Sequence, residues 1–208
     1  MKLYIVRHGE TAHNRQGVIQ GHCDVRLNNA GIKQAKLLAK RLSDINFDYI
    51  YSSDLSRASR TTAEILKYQK CKVKYTKALR ERNFGKFTNK KGEEYLASLK
   101  QNKILDTSNK LPRGVETVRK MNKRVLDLFE KVYKKHENET ILFSTHIGVK
   151  IILWMYFKGV SIEKFSYKKK FGNTSVTIIQ CHKNNKHKIV LEDCTKHIKL
   201  VNNKYLEV

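Results

Sequence analysis

The chain has a single proline in 208 residues and no stretch rich in proline, glycine or serine, so nothing in it reads as a linker between two domains. Its longest apolar stretch, Ile151 to Phe157, falls far short of the roughly 20 residues that a membrane span needs. That stretch is read instead as a buried helix. The four cysteines, Cys23, Cys71, Cys181 and Cys194, stand apart with no C-x-x-C pair. Their scatter argues against a zinc site or a thiol-redox motif and suits reduced thiols in a cytosolic protein. The N-terminal apolar run is too short for a signal peptide and is broken by Arg7, so a cytoplasmic location is expected. Acidic residues are scarce: 19 Asp plus Glu face 43 Lys plus Arg, a formal charge of +24. A field of that sign draws in any anion, nucleic acid included. The lysines, however, are spread through helices, turns and the tail, and no stacking aromatics accompany them. A solvated basic surface is therefore preferred over a nucleic-acid interface.

What the chain does contain is a short apolar run ending abruptly in Arg7-His8, followed by Gly9 and Glu10. Such a run, rich in Ile, Val and Tyr, is the pattern of a buried strand of a parallel sheet, and ligands bind where such strands end. A guanidinium there can hold a phosphate while the imidazole beside it attacks phosphorus. Further blocks follow in order: Asn14, then Gln20-Gly21, then Leu27 through Gly31 to Gln34-Ala35. Next come Ser53-Asp54-Leu55-Ser56-Arg57-Ala58 with Thr61, then Leu79-Arg80-Glu81 with Asn83-Phe84-Gly85. Last is a second apolar run from Thr140 that ends in His146.

Taken together, these blocks resemble the histidine phosphatase superfamily, in its phosphoglycerate mutase-like and fructose-2,6-bisphosphatase-like branch. The resemblance implies His8 as the phosphorylated nucleophile, Glu81 as the general acid, and Arg7, Arg57 and His146 as the groups around the phosphoryl. Asn14, Gln20 and Gly21 fall in substrate-binding positions. No metal or other cofactor is implied, since the arginines and a protonated His146 take the part of a cation, and activity is expected to survive a chelator. Two departures stand out: Ile147-Gly148 follows His146 where the family commonly has Gly-Gly, and Lys86-Phe87-Thr88-Asn89 keeps only the aromatic of the family's segment. Both put substrate specificity in question.

Segments 31–44, 57–69 and 117–136 carry helical periodicity; in the last, Val118, Met121, Val125, Leu128, Phe129 and Val132 form one apolar face. Alternating with strands at 2–6, 48–52 and 140–144, they predict an α/β fold, a three-layer α/β/α sandwich with a mostly parallel central sheet. Ser175 to Gln180, and more weakly Ile189 to Glu192, are expected to finish the sheet. The polar, broken segment 83–113 is read as an excursion over the active site within one domain spanning 1–208. Glu116-Thr117 is expected to cap the long helix, where a glutamate is favoured by the helix dipole.

The chemistry then expected is hydrolysis of a phosphomonoester through a phosphohistidine. His8 must be neutral, with one ring N–H fixed by an acceptor such as the next backbone carbonyl. Glu81, its pKa raised by partial burial, would protonate the leaving alkoxide and then activate water. The partner is a small phosphorylated substrate or inorganic phosphate, with a phosphosugar, phosphoglycerate, nucleotide or phosphoprotein all open. A 2,3-bisphosphoglycerate-dependent phosphoglycerate mutase is the alternative, in which the basic tail from Lys183 to Lys199 folds over the site. Against it, the chain has no Arg-Arg pair for a substrate carboxylate and a short segment after the acid. A non-catalytic anion- or nucleic-acid-binding protein is a remoter alternative, since binding alone needs neither nucleophile nor proton donor.

Overall fold

A computed structural model describes residues 1–183, 186–201 and 204–206. Its strands are β1 (Lys2–Arg7), β2 (Tyr49–Ser53), β3 (Lys72–Thr76), β4 (Thr140–Thr145), β5 (Val176–Gln180) and β6 (Lys188–Cys194). They form one sheet in the order β3-β2-β4-β1-β5-β6. The four strands from β3 to β1 run parallel, and β5 and β6 complete the edge antiparallel. A short hairpin, β7 (Lys199–Val201) with β8 (Lys204–Leu206), follows.

The inner strands read as unbroken apolar runs because both of their faces are covered. Leu3 and Ile5 of β1, with Ile141 and Phe143 of β4, join one core. It is built with Val118, Met121, Val125 and Phe129 of helix α5 (Val118–Lys135) and with Val149 and Ile152 of α6 (Ile147–Lys158). The alternate residues Tyr4, Val6 and Leu142 face a second core with Leu38 of α2 (Asn29–Arg41) and Ile65 of α3 (Ser56–Ile65). The result is the α/β/α sandwich expected from the alternation of periods.

β3 has no counterpart in the sequence reading. Its residues alternate lysine with Val73 and Tyr75, and none is buried. A charged, half-wet strand at a sheet edge carries little hydrophobic signal, and its lysines discourage further strand pairing there. The tail from Lys188 pairs with β5 as β6 and contributes no residue to the cavity described below; residues 184 and 185, also part of that expected tail, lie outside the described residues. The long helix is capped by the Thr117 side chain, which accepts from Lys120 N. Of the expected capping pair Glu116-Thr117, Thr117 is thus the cap, and Glu116 pairs with Arg124 through both carboxylate oxygens at 2.7 and 2.9 Å.

Residues 83–113 build their own small core: Phe84, Phe87, Tyr95 and Leu99, the last two on α4 (Gly92–Gln101). Arg82 ties this layer to the rest. Its fully buried guanidinium donates to Asp106 Oδ1 at 2.8 Å and to the Glu116 carbonyl at 2.7 Å, and lies over the Phe84 ring.

Candidate active site

Register brings the two histidines together. β1 and β4 pair in parallel with Arg7 opposite Thr145, so His8 and His146, each one residue beyond its strand, leave the sheet side by side. Their rings lie 5.1 Å apart. β2 ends at the same edge, and α3 begins three residues later, which delivers Arg57 from its first turn. The site thus forms at the carboxyl ends of adjacent parallel strands, where the sheet's side chains give way to loops and helix N-termini.

Each expected residue can be placed. Arg7, His8, Asn14, Gln20, Gly21, Arg57 and Glu81 all line one cavity of about 440 Å³. His146 is fully buried against Arg57 and His8 without lining it. His8 Nδ1 sits 2.7 Å from the Gly9 carbonyl. A carbonyl can only accept, so Nδ1 carries the proton and Nε2 keeps its lone pair. Burial, then Arg57, then Arg7 hold the His8 pKa well below its ordinary value, so the imidazole is neutral.

Arg57 is clamped on its inner side, donating to Gly21 O and Cys23 O at 2.8 Å each and through Nε to His146 Nδ1 at 3.2 Å. Gly21 therefore serves here through its carbonyl, at a positive φ of 49°. Burial lowers both Arg7 and Arg57 to about 10, which leaves them cationic at neutral pH. The Arg57 contact corrects the expectation of a protonated His146. An imidazolium has no lone pair with which to accept from Arg57, and burial, Arg57 and His8 all push its pKa far down.

Asn14 spends its Oδ1 on capping helix α1 (Ala12–Gln16), accepting from Thr11 N and from Asn173 Nδ2. Asn14 lines the cavity. Gln20 is buried, with Oε1 lacking a hydrogen-bond partner.

Glu81 is buried between two arginines that bind elsewhere. Arg80 holds Asp54 bidentately at 2.7 and 2.6 Å, and Arg82 takes Asp106. The Glu81 carboxylate instead accepts from Arg82 N at 2.8 Å, from Tyr167 OH at 3.2 Å and from Gly148 N at 3.2 Å. Gly148, the second glycine of the family's pair, lies against this carboxylate: a Cβ there would stand 2.2 Å from Glu81 Oε1 and 2.7 Å from Tyr167 OH, so these side chains would have to move. Gly148→Ala is expected to displace the carboxylate and lower kcat by about 10- to 100-fold. Tm should fall as well, since a displaced carboxylate leaves the N–H groups of Arg82 and residue 148 without their acceptor; kcat, KM and Tm measured together check this. Ile147, at the departure from Gly-Gly, lines the cavity.

Several supporting groups escaped the sequence. The segment 171–175 carries no motif, yet Phe171 O accepts from Arg7 at 2.6 Å, and Asn173 Nδ2 donates to His8 O at 3.0 Å. Lys150, buried on α6, donates to Ser175 O and Oγ at 3.0 and 2.7 Å, and burial brings it down to about 7. A lysine interrupting the apolar positions after His146 was the available signal. Among the described residues, no group of three or more His, Cys, Asp or Glu could hold a metal ion, and no helix is long and apolar enough to cross a membrane.

A neutral histidine beside two clamped guanidiniums, with a carboxylate across the cavity, is the equipment of a phosphoryl-transfer enzyme. Residues 3–193 match the histidine phosphatase superfamily (branch 1). The chain is 36% identical over 154 residues to phosphoglycerate mutase-like protein 4 of Arabidopsis thaliana, covering 71% of this chain and 67% of that one. It is 32% identical to the metal-independent phosphoserine phosphatase of the same plant, over 86% and 75% of the two chains. The structure superposes with a TM-score of 0.81 and 28% identity on phosphoserine phosphatase from Entamoeba histolytica in complex with 3-phosphoglyceric acid, covering 94% and 98%. The chain belongs to branch 1 of the histidine phosphatase superfamily and is a phosphatase of that superfamily.

Proposed function

We propose that the protein is a metal-independent phosphomonoesterase that works through a phosphohistidine on a small phosphorylated compound, with 83–113 covering the active site of one domain. The observation that carries this reading is the fixed tautomer of His8, whose Nδ1–H is committed to Gly9 O while Nε2 retains its lone pair beside Arg7 and Arg57. Nε2 forms the N–P bond as the ester P–O bond breaks. The equatorial oxygens are held by the guanidinium faces not used by protein carbonyls. Glu81 gives its proton to the departing alkoxide. The resulting carboxylate then takes a proton from water, whose oxygen attacks phosphorus and returns the lone pair to Nε2.

His146 stays neutral and orients Arg57, its Nδ1 accepting from Arg57 Nε. The charge that spreads over the transferring group is met by Arg7 and Arg57.

The testing assay is release of phosphate from 4-nitrophenyl phosphate in excess chelator, run beside 3-phosphoglycerate interconversion. Release without interconversion is expected; interconversion without release would favour the mutase, and neither would favour a binding protein. A second expectation concerns pH. An ordinary histidine loses its lone pair below about pH 6.5, whereas His8 stays neutral there because its pKa is depressed. The kcat/KM profile, corrected for the substrate's own second ionisation near about pH 6, should therefore show no acid limb between about pH 5.5 and 7. A limb at about 6.5 would contradict a neutral, desolvated nucleophile.

A further inference from the structure

The cavity's lining is of two kinds. One is the set of groups that the proposed chemistry needs. The other is mainly apolar, Val18, Ile19, Phe84, Tyr95, Leu96 and Phe165, with Asp106, Ser166 and Lys168 among them. On the phosphatase reading above, this second part receives whatever the phosphate is attached to.

Apart from Lys168, the cations near the cavity that could grip an acid on the leaving group are spent elsewhere. Arg82 is consumed by Asp106 and the Glu116 carbonyl, Arg80 by Asp54, and Arg124 by Glu116 together with the carbonyls of Ala78, Arg80 and Glu81. Asp106, the lining acid besides Glu81, is neutralised in turn by Arg82 and the Tyr95 hydroxyl. Beyond Arg7 and Arg57, Lys168 is the one cation among the described lining residues.

Leu96 adds an independent observation. It lies on α4 beside the buried Tyr95, and although it lines the cavity it is 62% exposed. A large apolar side chain left in water at the wall of a catalytic cavity is stabilised when an apolar ligand covers it. A small hydroxy acid would leave it wet and would bring a carboxylate among aromatic and aliphatic groups at a desolvation cost.

We propose that the leaving group is an apolar or aromatic alcohol, so that the protein prefers phosphomonoesters with a hydrophobic body over those of small hydroxy acids. The six-residue apolar wall sorts substrates by burial. The phosphate end treats all monoesters alike.

The test compares alkyl esters, so that leaving-group reactivity does not decide the result. kcat/KM is measured for 2-phenylethyl phosphate, ethyl phosphate, O-phosphoserine and 3-phosphoglycerate, with 4-nitrophenyl phosphate as the general reporter. 2-Phenylethyl phosphate is expected to exceed each of the other alkyl esters by roughly tenfold or more. Leu96→Glu, at an exposed position that tolerates charge, should reduce the phenylethyl-to-ethyl ratio by a similar factor. Faster turnover of O-phosphoserine or 3-phosphoglycerate, or a ratio unchanged in Leu96→Glu, would overturn the preference while leaving the phosphatase intact. Failure to hydrolyse even 4-nitrophenyl phosphate would overturn the phosphatase reading and the preference with it.

Discussion

His8→Ala is expected to lower phosphatase turnover by about 10⁴-fold or more, because it removes the nucleophile from a site with no second candidate in position. The neighbouring histidine cannot replace it: His146 Nδ1 is occupied by Arg57 Nε, and Nε2 lies 2.8 Å from Ser53 Oγ. Water is a poor substitute, since Glu81, the base of the proposed mechanism, is committed to the leaving oxygen. Phosphate binding should survive, since Arg7 and Arg57 take their positions from carbonyls of Phe171, Gly21 and Cys23 rather than from the His8 ring. Rapid quench with labelled substrate separates this from a merely damaged fold. Wild type should yield an acid-labile, alkali-stable phosphoprotein, whereas His8→Ala should yield none and still retain phosphate in equilibrium dialysis. Turnover within tenfold of wild type would remove covalent catalysis at His8 from the mechanism.

Why those residues could be found in the sequence, and others not, follows from how each is held. Strand ends announce themselves, because an apolar run buried on both faces must stop where the chain meets solvent or ligand. β1 and β4 stop at Arg7-His8 and His146. The glycine of the Leu27–Gln34 block was legible as a motif, but its reason is tertiary: a Cβ at Gly31 would stand 2.0 Å from Glu10 O, and Gln34 Oε1 accepts from Glu10 N. Thr61 likewise proves to be the acceptor for Gly9 N at 3.1 Å. By contrast, Asn173 and Tyr167 reach the site across a long separation in the chain. No local period or spacing marks them. β3 was missed because an exposed edge strand of alternating lysines carries no burial signal, and the protonation of His146 because it depends on which lone pair Arg57 occupies. Charge states in a buried cluster are set by contacts between distant segments, and composition is silent about those.

Glu81→Gln is the second large effect, and its size should depend on the leaving group. For an alkyl ester the departing alkoxide needs a proton, and loss of the donor should cost about 10²- to 10³-fold in kcat/KM. A nitrophenolate leaves readily unprotonated, so the first step on 4-nitrophenyl phosphate should slow only a few-fold. The second step differs, because hydrolysis of the phosphohistidine needs a base, and an amide is none. Mixing the variant with the aryl ester should therefore give a burst of about one nitrophenolate per active site, followed by slow turnover as the phosphoenzyme accumulates. The substitution is close to isosteric. One amide oxygen can still accept from Arg82 N and Tyr167 OH, as Glu81 Oε1 does, while the new NH2 faces Gly148 N, a donor where an acceptor stood. That mismatch leaves one backbone N–H unpaired, worth about 1–3 kcal/mol of stability, so thermal melting must accompany the kinetics. A loss equal for alkyl and aryl esters, without a burst, would make Glu81 a structural anchor for Gly148 and Tyr167 and move the proton donor elsewhere. A burst with selective loss on alkyl esters would place both proton transfers on one carboxylate, held by the Tyr167 hydroxyl and the backbone amides of Arg82 and Gly148.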